Sequence, residues 1–304
     1  MITVFTPTYN RAYILPKLFE SLKEQSSNNF EWIIVDDGST DKTEFVVKKW
    51  IAEWHDFCIR YYKQENGGKH RAINKGVREA RGTLFFIVDS DDYLTYDAIE
   101  TLENWEKSVN KSGDKYCGVA GECACIKDGK IMGSSNKKEY VDATTLERKK
   151  YNILGDKAEA FYTKLLKKYP FPEIEGEKFI TESVVWNRLA HDGYLVRWYN
   201  KPIYMCEYRP DGLTMQKEKI FAANPKGYAI SVRERCEYCN ASLKEKTLEA
   251  YYFYENVKSM YSVKQAVFLL EFRKVYIWLV YAQILNAKLQ GKLEAIKGHV
   301  DAGA

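Results

Sequence analysis

The sequence predicts an α/β chain built on a doubly wound, mostly parallel sheet, with a C-terminal helical appendage. Three observations predict it. Strand and helix patterns alternate with short connections through the first hundred residues. The run 83–88 is continuously apolar, as a strand covered on both faces is. After about residue 215 only helical spacing recurs. Repeated strand–helix–strand units imply right-handed crossovers, and hence one sheet whose strand ends share an edge.

In chain order, residues 2–6 are a short β-branched run, and Leu15, Leu18, Phe19 and Leu22 then recur at helical spacing with Pro16 in the first turn. Trp32-Ile33-Ile34-Val35 is the second strand, closed by the turn Asp36-Asp37-Gly38-Ser39. Asp41 with Glu44 three residues on reads as a capping pair opening a helix to about Trp54. Residues 58–63 form a third strand and Asn66-Gly67-Gly68 a turn. Ala72, Ile73, Val77 and Ala80 mark the inner face of a helix that ends at Gly82, before the strand 83–88. Between about 116 and 210 the pattern is mixed, with strands at 118–126 and 194–199, a hairpin signal at Asp128-Gly129 and a helix at about 181–191. Val267, Leu270, Lys274, Ile277 and Tyr281 lie along one line of a last long helix, and Phe268, Phe272, Leu279 and Leu285 cover its neighbouring faces.

Composition narrows the function classes. Of 304 residues 45% are hydrophobic and 29% charged, which speaks against disorder, and a net charge of +4 with bases and acids interleaved speaks against a nucleic-acid partner. Seven cysteines, an odd number in a chain too large to need staples, favour reduced thiols and a cytoplasmic setting. The opening residues carry no secretory pattern, and the longest apolar stretch, 275–285, is well short of the roughly 20 residues that cross a bilayer.

In doubly wound sheets ligands bind outside the carboxyl ends of the strands. Three polar clusters fall there: Pro7-Thr8-Tyr9-Asn10-Arg11, Asp36-Asp37 and Asp89-Ser90-Asp91-Asp92. Crowded carboxylates suit a hard divalent cation, magnesium or manganese, although an acidic turn capping the next helix through Asp92 or Thr95 explains the same residues. Asp37 reads either as part of a turn leading to a cap or as an acceptor for a nucleobase edge, with Tyr9 as an aromatic face. Lys69, His70 and Arg71 open a helix after two glycines, a place that favours phosphate. Glu182 lies in a helical first turn, six residues before Arg188, where a carboxylate also suits the helix dipole.

Taken together, Thr6-Pro7-Thr8-Tyr9-Asn10-Arg11, the run Val35 to Asp41, Gly67-Gly68 to Asn74-Lys75-Gly76 and Val88-Asp89-Ser90-Asp91-Asp92 resemble the family 2 glycosyltransferases, which have the GT-A fold. The resemblance is specific over 1–102, thinner to about 214, and absent beyond. It implies a nucleotide-sugar-binding catalytic domain at 1–215, divided into a nucleotide-binding half, 1–102, and an acceptor half, 103–215, followed by a helical region at 216–304. It also implies that Pro7 and Tyr9 contact the base and Asp37 hydrogen-bonds it, typically uracil. Asp89 would face the ribose and Lys69 the diphosphate, while Arg11 and Ser90 complete the nucleotide set. Asp91, with Asp92 as the alternative, would hold the Mn2+ or Mg2+ that bridges the phosphates. Family members carry an acidic residue six before an Arg, often as Glu-Asp; here Thr181-Glu182 stands there, which makes Glu182 the candidate base.

The implied activity is inverting, metal-dependent transfer of a sugar from a UDP-sugar to the hydroxyl of a saccharide or lipid-linked saccharide, in cell-surface polysaccharide or glycan synthesis. The Gln-x-x-Arg-Trp pattern of processive members is absent, which favours adding one sugar at a time. A non-catalytic nucleotide-sugar-binding subunit and a sugar-phosphate nucleotidyltransferase are the alternatives; a nicotinamide oxidoreductase would need close-set glycines after the first strand. The C-terminal helices are expected to pack on the catalytic domain. With Lys288, Lys292 and Lys297 they also suit a peripheral contact at the inner face of the membrane, or a homo-oligomer.

Overall fold

The strand β1 (Ile2–Thr8) is buried almost throughout and pairs in parallel with β2 (Phe30–Asp36) on one side and β4 (Leu84–Ile87) on the other, in a computed structural model that describes residues 1–110, 115–206, 209 and 216–301. Strand β3 (Cys58–Lys63) adds in parallel outside β2. The order β3-β2-β1-β4 therefore reverses at β1, since the chain builds outward to β3 and returns to the far side of β1. Such a reversal opens a crevice at the carboxyl ends, because the loops after the two central strands lead away in opposite directions.

Both faces of this half-sheet are covered. On one, Phe19 of α1 (Leu15–Lys23) stacks on Trp32 of β2 and, at 4.3 Å, on Trp50 of α2 (Thr43–Glu53). Phe5 lies one residue out of phase with the Val4–Trp32 pair and so faces the other way, where α3 (Lys69–Glu79) packs. The approach is close: a Cβ on Gly76 would sit 2.2 Å from the Phe5 ring.

Beyond β4 the sheet is mixed. Strand β8 (Lys157–Tyr162) runs antiparallel to β4 and to β6 (Tyr116–Cys125), and β9 (Leu195–Cys206) runs parallel to β6. The short strands β5 (Tyr93–Leu94) and β7 (Tyr140–Ala143) pair antiparallel with β9. Helix α4 (Ala98–Asn110) follows β5, α5 (Thr163–Leu166) follows β8, and α6 (Ser183–His191) precedes β9. Sequence patterning ends the last strand at 199, where Asn200, Lys201 and Pro202 follow, all three exposed in the structure. The strand continues to Cys206, its pairing with β6 restored across register shifts beside Gly121 and Glu122.

The chain divides into two units, Met1–Lys178 with Glu182–Met215, and Phe179–Thr181 with Gln216–Ala304. The second is helical: α7 (Lys217–Ala223), α8 (Pro225–Tyr238), α9 (Leu243–Val257), α10 (Val263–Leu269) and α11 (Val275–Asp301). Its core is built from Ala229, Val232, Phe253, Val257, Val267, Leu270 and Val280, among others. The expected single line from Val267 to Tyr281 is in fact split between two helices. A capping box of Ser262 and Gln265 opens α10, and Glu271, with φ 56°, terminates it before α11 begins. Helix α11 leaves Trp278, Tyr281, Leu285 and Leu289 exposed, and no helix among the described residues is long and apolar enough to cross a membrane.

Candidate active site

The ends of β1 and β2 are tied into one piece. The Asp37 N–H donates to the Thr8 carbonyl at 2.8 Å, and Asn10, with φ 53°, donates its N–H to Ser39 Oγ while its Oδ1 accepts from the Thr40 N–H, each at 2.8 Å. A left-handed backbone is tolerated by Asn better than by most residues, and here it turns the chain so that Tyr9 is half exposed. The Asp37 carboxylate is buried and accepts from the N–H groups of Gly67 at 2.9 Å and Gly68 at 2.7 Å, and from the Gln64 amide at 2.8 Å. Asp37 thereby anchors the loop that opens α3.

At the end of β4 the turn Asp89–Asp92 folds against β9. The Asp89 N–H donates to the Tyr204 hydroxyl at 3.0 Å, and that hydroxyl donates to Asp92 Oδ2 at 2.7 Å. Burial first, and then the charge of Asp89, push the Asp92 carboxyl up to about 9. Asp91 is half-buried and also raised, by burial and then by Asp89, with Arg11 and Arg209 pulling the other way. Ser90 is buried between them, and Pro7 lies in β1 opposite Val35.

Lys69, at the start of α3, spans the gap to the acceptor half: its ammonium lies 2.8 Å from Asp89 and 2.9 Å from Glu182. Burial opposes its charge, but the two carboxylates outweigh burial and hold its pKa above the ordinary lysine value. Glu182, at the N-cap position of α6, shows the converse. Burial would raise its pKa, yet Lys69 brings it below the usual carboxylate range, so it is ionised at neutral pH.

The three basic residues expected to serve a phosphate together diverge. Lys69 faces the carboxylates. The His70 ring is buried with neither nitrogen hydrogen-bonded, which lowers its pKa to about 4. Arg71 spends its guanidinium on carbonyl groups of Gly67, Ile174 and Glu177 and on the Glu173 carboxylate at 3.5 Å. Local patterning does not reveal Tyr204, because it ends β9 at 199. Nor does it reveal Arg209, beyond that strand, and it offers Asn74 only as part of a motif.

Asp91 is the carboxylate whose surroundings fit a divalent cation best. Asp89 is engaged by Lys69 and Asp92 by Tyr204, whereas Asp91 is raised by burial and a neighbouring negative charge, both of which a cation would offset. Among the described residues no three His, Cys, Asp or Glu side chains gather closely enough to cage an ion. A cation here would therefore take part of its oxygen shell from a ligand, as magnesium does with substrate phosphates.

Comparison with known proteins bears on the family and on the fold. Residues 3–108 match the family model Glycosyl transferase family 2. Glycosyltransferase GlyA of Streptococcus pneumoniae serotype 4 is 29% identical over 236 residues, which are 77% of this chain but 31% of GlyA, so the chain spans under a third of that relative. The GalNAc(5)-diNAcBac-PP-undecaprenol beta-1,3-glucosyltransferase of Campylobacter jejuni is 28% identical over 223 residues, covering 72% of this chain and 68% of the relative. Among solved structures, Staphylococcus aureus TarS 1–349 in complex with UDP-GlcNAc superposes with a TM-score of 0.64 at 20% identity, over 95% of this chain and 92% of TarS 1–349. That likeness identifies the fold as GT-A. Over residues 3–108, the chain is similar to glycosyl transferase family 2.

Proposed function

We propose that the protein is an inverting, metal-dependent glycosyltransferase that moves a sugar from a UDP-sugar to an acceptor hydroxyl in glycan synthesis. The observation that carries this reading is the single ammonium of Lys69 joining a carboxylate of the β4 turn, Asp89, to Glu182 at the point where the strand order reverses. The donor class is supported by the TarS complex with UDP-GlcNAc, and a lipid-linked acceptor by the PP-undecaprenol in the name of the C. jejuni relative.

In this reading residues 1–102 hold the nucleotide, with Tyr9 and Pro7 against the base, Arg11 and Ser90 nearby, and Asp37 acting both on the base and on the 64–68 loop. Residues 103–215 shape the acceptor side. Asp91, with Asp92 as the alternative, holds Mn2+ or Mg2+, which supplies charge stabilisation to the departing diphosphate. Glu182, ionised at neutral pH, accepts the proton of the acceptor hydroxyl as its oxygen attacks the anomeric carbon from the face opposite the diphosphate. Lys69 keeps that carboxylate charged until the proton arrives and offsets charge beside Asp89.

A panel of nucleotide sugars, each assayed with manganese for release of the nucleoside diphosphate and in parallel for binding, tests the reading. Release from a UDP-sugar that depends on the acceptor is expected. Binding without release would instead point to a non-catalytic nucleotide-sugar-binding subunit, and turnover of a sugar phosphate with a nucleoside triphosphate to a nucleotidyltransferase.

A further inference from the structure

Asn74 is 5% exposed, and both ends of its side-chain amide are engaged by the loop that precedes Glu182. Its Oδ1 accepts from the Phe171 N–H at 2.8 Å, while its Nδ2 donates to the Phe171 carbonyl at 2.9 Å and to Glu173 Oε1 at 2.8 Å. The amide thus takes the place of a strand neighbour, satisfying both backbone groups of one residue. Three residues earlier on α3, Arg71 donates to the carbonyls of Ile174 and Glu177, both at 2.7 Å. Gly68 admits the loop's far end: its φ is 98°, and a Cβ there would sit 1.7 Å from the Lys178 carbonyl oxygen, an approach that only glycine permits. Segment 171–178 is in this way laid along α3.

The segment also reaches α6. The Phe171 ring packs edge-on against Trp186 at 5.9 Å, Trp186 stacks on Phe161 of β8 at 4.1 Å, and Glu182 occupies the N-cap position of that helix. Helix α3 therefore holds Glu182 in two ways, directly through the Lys69 ammonium and at a distance through Asn74, Phe171 and Trp186.

We propose that Asn74 is a positioning residue for Glu182, setting where its carboxylate stands relative to the acceptor without touching either substrate. The inference rests on Glu182 being the base. Removing the amide strands the N–H and carbonyl of Phe171 and frees the loop to shift, and misplacing a reacting group by about 1 Å costs on the order of 100-fold in rate.

The experiment is a double-mutant cycle on the full chain, with kcat and the donor KM measured for Asn74→Ala, Glu182→Gln and the pair. Asn74→Ala is expected to lower kcat about 10- to 100-fold with the donor KM within about threefold of the starting value. In the Glu182→Gln background the same change is expected to add nothing, because it acts through the group already removed. A full, additive loss in the double variant, or a donor KM that rises as kcat falls, overturns the positioning role. Should Asn74→Ala not fold, Glu173→Ala removes one acceptor of the clamp at a half-exposed site. It is expected to cost about threefold in kcat, again only while Glu182 is present, and an equal cost in both backgrounds overturns the proposal. Near-normal transfer by Glu182→Gln alone refutes the base assignment and this inference with it. Lost transfer there, with unchanged kcat in a folded Asn74→Ala, refutes the positioning role only.

Discussion

Lys69 and Glu182, 113 positions apart in the chain, are joined by an ion pair of 2.9 Å. Because the same ammonium lies 2.8 Å from Asp89, it is the shared counter-charge of the β4 turn and of α6. Each carboxylate is half-exposed, so their worth is better sought in protonation state than in global stability.

Lys69→Met should move the acid limb of the kcat/KM profile to higher pH. The lysine's charge holds the Glu182 pKa down; without it, burial dominates, the carboxylate keeps its proton to higher pH, and less of the ionised base is present. A pH–rate profile of both forms checks this, and an unmoved acid limb would count against Glu182 as the titrating group.

Asp91→Asn should remove manganese-dependent UDP affinity, by about 100-fold or more if the cation is worth several kcal/mol. Asp92→Asn should leave it within about threefold, since Asp92 is buried against the Tyr204 hydroxyl and an amide of the same shape can keep that hydrogen bond. Titration calorimetry of UDP with and without manganese separates the two. A reversed ranking would make Asp92 the ligand.

Glu182→Gln should bind a UDP-sugar as well as the starting protein does and lose transfer by about 100- to 10,000-fold, the usual contribution of a general base. Donor binding by calorimetry and transfer by diphosphate release, measured on one preparation, provide the check.

His70 should make the fold acid-sensitive. Its pKa is lowered to about 4, chiefly by burial and then by Arg71, against the pull of Glu173, Asp37 and Glu182. Between that value and the ordinary 6.5 the unfolded chain binds the proton and the native chain does not, so stability is present above pH 6.5 and is lost as pH falls toward 4. A shift of that size corresponds to about 3 kcal/mol. Urea midpoints across this range should fall steeply in the native sequence and less steeply in His70→Leu; parallel curves would assign the sensitivity to other groups.

Much of this molecule is legible from local patterning, for a physical reason. The apolar runs of β1 to β4, the helical spacing of Leu15, Leu18 and Leu22, and the turns at Asp36-Asp37-Gly38 and Gly67-Gly68 reflect burial and backbone preferences that act within a few residues. Alternating elements with right-handed connections then leave little choice about which edge of the sheet gathers the strand ends, so local patterning alone assigns the clusters at Tyr9, Asp37 and Asp89–Asp92 to one edge.

Which groups each cluster meets there depends on packing across large sequence separations. Nothing local tells Lys69 from Arg71, yet one meets the two site carboxylates and the other meets two carbonyls and the Glu173 carboxylate, all more than a hundred residues away. Tyr204 reaches Asp92 because β9 runs on past its exposed Asn200-Lys201-Pro202, and Glu271 breaks the last helical stretch in two. Such outcomes depend on which groups compete for the same buried space and the same donors, a sum over the whole tertiary structure that a window of sequence does not contain.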